Sequence, residues 1–190
     1  MLKSTFITIS PILLTMLFAS ETQEEQLVLY ETEVPVKIEV IVEQPQIDVK
    51  EVTCMALNIY HEARNESVNG QIAVANVTMN RTKDSRFPDT VCKVVYQAKM
   101  SSWWKKERNK EVPIRNACQF SWYCDGKSDE VREIDVYNKI YVIAEEVIMG
   151  LHEDNTYGST HYHANYVDPY WASSLQKVAY VDNHIFYSGY

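Results

Sequence analysis

The stretch from Val52 to Arg64 most constrains what this chain can fold into. Val52, Met55, Ala56, Ile59 and Ala63 recur at helical spacing, which gives a helix one apolar face. Glu62 follows Ile59 by three residues near the end of the run, so a carboxylate sits beside the apolar stripe. Two readings are open at this point: a solvated helix terminus, or an acid held against a hydrophobic wall. With 190 residues, 46% of them hydrophobic, the chain can bury one core of ordinary size around such a helix.

The N-terminus has the outline of a secretory signal peptide over residues 1–20. Lys3 is a short positive start, an apolar run extends from Phe6 to Phe18, and the small residues Ala19 and Ser20 suit a cleavage site. An exported protein, periplasmic or associated with the cell envelope, is expected. An uncleaved signal would leave it associated with the membrane. Residues 21–50 hold eight acidic and two basic residues. So many like charges favour an extended linker, leaving 51–190 as the folded domain. The net charge of −8 argues against nucleic acid as a partner.

Cys54, Cys92, Cys118 and Cys124 all fall in that domain. An even count behind an export signal favours two disulfides, for which three pairings exist. Cys54–Cys92 with Cys118–Cys124 is the preferred set. The first would tie the Glu62 helix to the segment after Pro88, and the second would close Gln119–Tyr123 into a tight loop. Cys118 and Cys124 lack the short spacing of a zinc-binding pair.

Further along, Gln71–Arg81 reads as a second helix with Asn76 and Asn80 on one face. Residues 86–90 form a turn in which Asp89 or Thr90 can cap the next segment, and Val91–Lys99 is a short helix or extended piece. Ser101–Lys110 reads as a basic, tryptophan-rich loop, either a solvated lobe or a grip for an acidic polymer. Gln119–Gly126 fits a hairpin-like loop projecting Gln119 and Ser121. Val136, Ile140, Ile143, Ala144, Val147 and Leu151 mark a core helix stopped by Gly150. Lys177–Tyr187 reads as two short strands around Asp182-Asn183.

Taken together, Ile59-Tyr-His-Glu-Ala-Arg64, Gly70–Val77, Asn80-Arg81, Phe87-Pro88 and Val91 resemble the first block of the spore-cortex-lytic, cell-wall hydrolase family. Gln119-Phe-Ser121 with Asp125-Gly126 is similar to its second block. Thr160–His163, Pro169-Tyr-Trp171 and His184–Tyr187 are similar to its third. The resemblance implies a mainly α (α+β) lysozyme-like domain with a short β-hairpin element and small C-terminal strands. It also implies cleavage of peptidoglycan glycan strands, commonly as a lytic transglycosylase, with Glu62 as the catalytic acid. The family usually has Gly just before that Glu, whereas this chain has His61, which either crowds the site or adds a titrating neighbour.

That chemistry needs a carboxyl group that stays protonated near neutral pH, which burial against apolar groups achieves. A hydrolase also needs a second carboxylate; Glu66 and Asp125 are the candidates. A lytic transglycosylase can work with Glu62 alone, cleaving between N-acetylmuramic acid and N-acetylglucosamine and leaving a 1,6-anhydro end. Gln119, Ser121, Tyr162 and His163 are candidates for hydrogen bonds to the sugar, and Phe120 and Trp171 for stacking, although each aromatic reads equally as core. No cofactor or metal is expected.

Two rival readings stand beside this one. The first is a zinc-dependent cell-wall peptidase using His161 and His163, with His61, His152 or His184 as a third ligand that spacing does not select. The H-E-x-x-H pattern fails because position 65 is Asn. The second is a non-enzymatic murein-binding module, permitted by Ser101–Lys110.

Overall fold

The computed structural model describes residues 46–189. The expected signal peptide and most of the acidic linker lie outside the described residues. Helix α1 runs over Val49–Ala63, capped by Asp48, whose carboxylate accepts from the Lys50 backbone N–H at 2.8 Å. It starts three residues before the apolar run, so positions 49 and 50, read as linker, belong to the first helix. All five stripe residues are buried.

Helix α2 covers Val68–Lys83, capped by Ser67. The Ser67 backbone N–H and hydroxyl both donate to Asp182 Oδ2, at 2.9 and 2.6 Å. Gly70 in the first turn lies so close to the Asp182 carboxylate that a side chain there would collide with it. Helix α3, Val91–Val95, is capped by Thr90 and joined to α1 by Cys54–Cys92. Helix α5, Ile134–Ile148, buries Ile140, Ile143, Ala144 and Val147 against α1 and α2. Gly150 takes φ +73° just beyond it, but Leu151 lies past the helix end and is 65% exposed. The apolar period runs one position further than the helix does.

Between α3 and α5, strands β1 (Ala98–Met100) and β2 (Pro113–Cys118) form an antiparallel pair. The segment between them, expected as a loop, contains helix α4, Ser102–Arg108. Ser101 caps it, the left-handed Asn109 ends it, and none of its residues is buried. A one-turn 3₁₀ helix at Ser121–Cys124 comes after β2 and is tied to it by Cys118–Cys124. Both expected disulfides are present.

A second antiparallel sheet has the order β3-β5-β4, with β3 His161–Ala164, β4 Gln176–Val181 and β5 His184–Ser188. The β4–β5 turn lies at Asp182-Asn183, as expected, with Asp182 left-handed. Phe186 is fully buried against Ala73 and Val77 of α2. The two α2 asparagines hold the loop that leads into β3. Asn76 donates to the Glu153 carbonyl at 3.2 Å, and Asn80 to Asp154 Oδ2 at 2.9 Å and the Ser159 carbonyl at 3.1 Å.

Candidate active site

Glu62 sits in the last turn of α1, half-buried. Alternation along β3 turns Tyr162 to the α2 side of the sheet, where its ring meets His184 and Phe186. From there its hydroxyl donates to Glu62 Oε2 at 3.0 Å. Behind both lies Arg81, only 5% exposed. Its Nε donates to the Thr160 carbonyl at 2.8 Å. Its guanidinium lies between the rings of Phe87 and Phe120, with centroids 5.3 and 5.1 Å away. Nη1 has no hydrogen-bond partner among the described residues.

Burial raises the pKa of Glu62 above its ordinary value, while the Tyr162 hydrogen bond and the Arg81 charge pull it back. Burial, reinforced by the neighbouring Glu62, holds the Tyr162 phenol well above its ordinary value, so the phenol remains a proton donor. The result is a carboxyl group that keeps its proton to higher pH than a solvated Glu does, beside groups that accept its anion once the proton has gone.

His61 turns the other way. Its ring stacks on Trp122 at 4.5 Å with an 18° interplanar angle. Its Nε2 lies 3.3 Å from the Asp129 carbonyl, which can only accept, so Nε2 carries the hydrogen. Burial lowers the pKa of His61, favouring neutral imidazole. His61 therefore builds the cleft wall. A buried relay fixes that wall: Trp122 Nε1 donates to Asn58 Oδ1 at 3.1 Å, and Asn58 Nδ2 to the Thr78 hydroxyl at 3.2 Å. Beyond it, the Tyr60 hydroxyl accepts from the backbone N–H groups of Arg132 and Glu133, each at 3.2 Å. Arg64 pairs with Glu133 at 3.1 Å.

These walls enclose a cleft of about 530 Å³ that contains Glu62, Tyr162, Ser121 and His163. A smaller section of about 280 Å³ adjoins it at Glu62 and runs past Glu66 and Asn183. Of the sequence candidates, Glu62, Ser121, Tyr162 and His163 thus come together. His163 is committed on both nitrogens: Nδ1 to the Ala164 carbonyl and Nε2 to the Tyr187 hydroxyl, each at 2.9 Å. Three candidates lie elsewhere. Gln119 is exposed beside a different groove at the base of the β1–β2 pair. Phe120 is buried under Arg81 and offers no face to the cleft. Trp171 packs among His161, His163 and Tyr187 on the opposite face of the sheet.

The two candidate partner carboxylates also differ. Glu66 is engaged by Asn183, through its backbone N–H at 3.3 Å and its amide at 3.2 Å, and so serves the hairpin turn. Asp125 lines the cleft, and its pKa is lowered chiefly by the Lys127 backbone N–H. His161 and His163 share a face of β3. No group of three His, Cys, Asp or Glu side chains able to hold a metal ion is gathered among the described residues. Sequence reasoning gave no site role to Arg81, Asn58, Asp129 or Tyr166, and considered His184 only as a possible zinc ligand. Arg81 was within reach, because Val74, Val77 and Arg81 fall on one face of α2. Asp129 and Tyr166 carry no comparable periodic signal.

Residues 65–187 match the cell wall hydrolase family. The chain belongs to that family. The match begins at residue 65 and so does not include Glu62. A spore cortex-lytic enzyme of Oceanobacillus iheyensis is 45% identical over 47 residues, which are 25% of this chain and 17% of that protein. The aligned segment is therefore a small part of the relative's length. The catalytic domain of the Bacillus cereus SleB protein superposes with a TM-score of 0.52 at 20% identity, covering 76% of this chain and 94% of that one. The catalytic domain of the germination-specific lytic transglycosylase SleB from Bacillus anthracis gives 0.50 at 21% identity, covering 76% and 99%. At these identities the two structures establish the fold, mixed α+β and rich in helix.

Proposed function

We propose that this protein cleaves peptidoglycan glycan strands between N-acetylmuramic acid and N-acetylglucosamine as a lytic transglycosylase, with Glu62 as general acid and then general base. The observation that carries the reading is the Glu62 carboxyl in the cleft, its pKa raised by burial and its Oε2 held by the Tyr162 hydroxyl at 3.0 Å. Family membership and the lytic transglycosylase among the structural relatives point the same way.

In the reaction, protonated Glu62 gives its proton to the glycosidic oxygen as the bond to C1 of the muramic acid breaks. The resulting Glu62 carboxylate accepts the Tyr162 O–H and lies in the field of Arg81. It then takes the proton of the sugar's 6-hydroxyl, whose oxygen closes on C1. A 1,6-anhydro end forms, no water is consumed, and Glu62 returns to its starting state. Ser121 supplies a hydroxyl to the bound sugar, and the His61–Trp122 stack supplies a flat wall.

Hydrolysis is the second reading, favoured by one observation: Asp125, held ionised by its Lys127 contacts, faces the same cleft. Export to the periplasm or cell envelope belongs to the proposal, with residues 1–20 as signal and 21–50 as linker. Two disulfides suit an oxidising compartment.

The test is digestion of insoluble peptidoglycan by the oxidised protein, with the soluble fragments weighed by mass spectrometry. Anhydro ends, one water lighter than reducing ends and absent with Glu62→Gln, are expected. Reducing ends would replace this mechanism with hydrolysis through Asp125. Cut peptides on intact glycan would overturn the reading.

A further inference from the structure

The lobe built from β1, α4 and β2 takes no part in the cleft. Its chain closes on itself: the Ser101 backbone N–H donates to the Val112 carbonyl at 2.9 Å, and that of Lys110 to the Trp104 carbonyl at 3.3 Å. Among the described residues, no element covers helix α4. It exposes two indoles side by side, Trp103 at 55% and Trp104 at 38%, with ring centroids 5.0 Å apart and nearly perpendicular. A protein rarely leaves two adjacent tryptophans wet without a use for them. An indole offers an apolar face for a sugar ring and an N–H for its hydroxyls.

The charge of this lobe is opposite to that of the whole chain. Positions 99–115 hold six cations and two carboxylates, in a chain of net charge −8. Glu111 is taken by Lys105 at 2.6 Å. Lys99, Lys106, Arg108 and Lys110 are exposed. At the base of the hairpin a groove of about 310 Å³ is lined by Gln97, Lys99 and Gln119. It thus offers amides and a cation where the cleft offers an acid.

We propose that this lobe is a holding surface that docks on the same wall polymer at a second place, recognising N-acetylated sugars that carry carboxylates. The inference rests on the proposed substrate and adds to it a site distinct from the Glu62 cleft. The exposed apolar area is confined to the two indoles with Met100 and Ile114, and the helix has only seven residues. That suits stacking on one strand better than insertion into a lipid surface. A weak second contact on a polymer already engaged by the cleft acts through effective concentration and needs no high affinity of its own.

The test uses the full oxidised chain carrying Glu62→Gln, so that nothing is cleaved, and measures its retention on insoluble peptidoglycan against ionic strength. Retention is expected to fall as salt rises. It is also expected to fall by about tenfold when Lys99→Glu, Lys106→Glu and Arg108→Glu are combined, and by a similar factor with Trp103→Ala and Trp104→Ala together, a part of the roughly 10²–10⁴ that avidity can supply. With Glu62 restored, both variants should digest short soluble glycan fragments at the parental rate and insoluble wall more slowly. Unchanged retention would overturn the proposal. So would an equal loss on soluble fragments, or tighter binding to vesicles of anionic phospholipid than to peptidoglycan. Retention needs no cleavage, so failure of the transglycosylase reading would show in the products alone.

Discussion

Tyr162→Phe removes one oxygen atom and leaves the ring against Phe186 and His184. The loss is the 3.0 Å donation to Glu62 Oε2. A hydrogen bond between neutral groups contributes about 0.5–1.5 kcal/mol, and one to a charged group about 1.5–3 kcal/mol. The substitution should therefore cost about 1 kcal/mol of stability where Glu62 is protonated and about 2 kcal/mol where it is ionised. The same difference sets the sign in activity. The hydroxyl favours the carboxylate, so removing it leaves burial less opposed and raises the Glu62 pKa further. Since the free enzyme must hold the proton to donate it, the alkaline limb of kcat/KM should move to higher pH. Release of anhydro ends measured across pH, with chemical denaturation on either side of the limb, checks both statements. A limb that stays in place or moves down, or a stability loss equal at both pH values, would refute the reasoning. The wild-type linkage has its own sign. Burial raises the folded-state pKa of Glu62 above its ordinary 4.5. The stability this group contributes is therefore full below the unfolded value and is lost as pH rises through the folded one. The uncharged Glu62→Gln should consequently be more stable than wild type at neutral pH while inactive.

The disulfides should differ in weight. Cys54 and Cys92 lie 38 residues apart and Cys118 and Cys124 only 6. Removing the first as a pair of alanines should cost about 4 kcal/mol and removing the second about 2 kcal/mol by loop-closure entropy; denaturant midpoints compare them. Phe186→Ala empties a fully buried site between β5 and α2 and should cost about 3–5 kcal/mol. Thermal unfolding measures that loss. It should also lower activity, because Phe186 supports the Tyr162 ring.

The helices were legible where burial follows a period. The α1 stripe and the α5 face are both core, and Gly150 marks the end of α5 as its lack of a side chain allows. Helix α4 was not legible, because Ser102–Arg108 has no buried face and so no period; capping by Ser101 and Asn109 makes it a helix. At the candidate site, the apolar stripe left Glu62 open between a solvated helix end and a buried acid, and the resemblance singled it out, as it did Tyr162. Phe120 was misplaced because its neighbours Gln119 and Ser121 are polar, whereas its true partner, Arg81, is 39 positions away in sequence. The wall residues Asp129 and Tyr166 belong to irregular segments whose course is set by tertiary bonds such as Tyr60 to Arg132. No local pattern encodes those bonds.

The two faces of β3 limit how this chain can change. Tyr162 looks toward Glu62, while His161 and His163 look toward Trp171 and Tyr187. One residue inserted between Thr160 and Tyr162 would exchange these faces. The phenol would then leave the acid, and an imidazole would enter its place. The four positions of β3 therefore tolerate substitution far better than any change in length. Segment 101–112, which lines no part of the Glu62 cleft, should accept changes in length without moving Tyr162. In a collection of variants, gaps should gather in that segment and be missing from Thr160–Ala164.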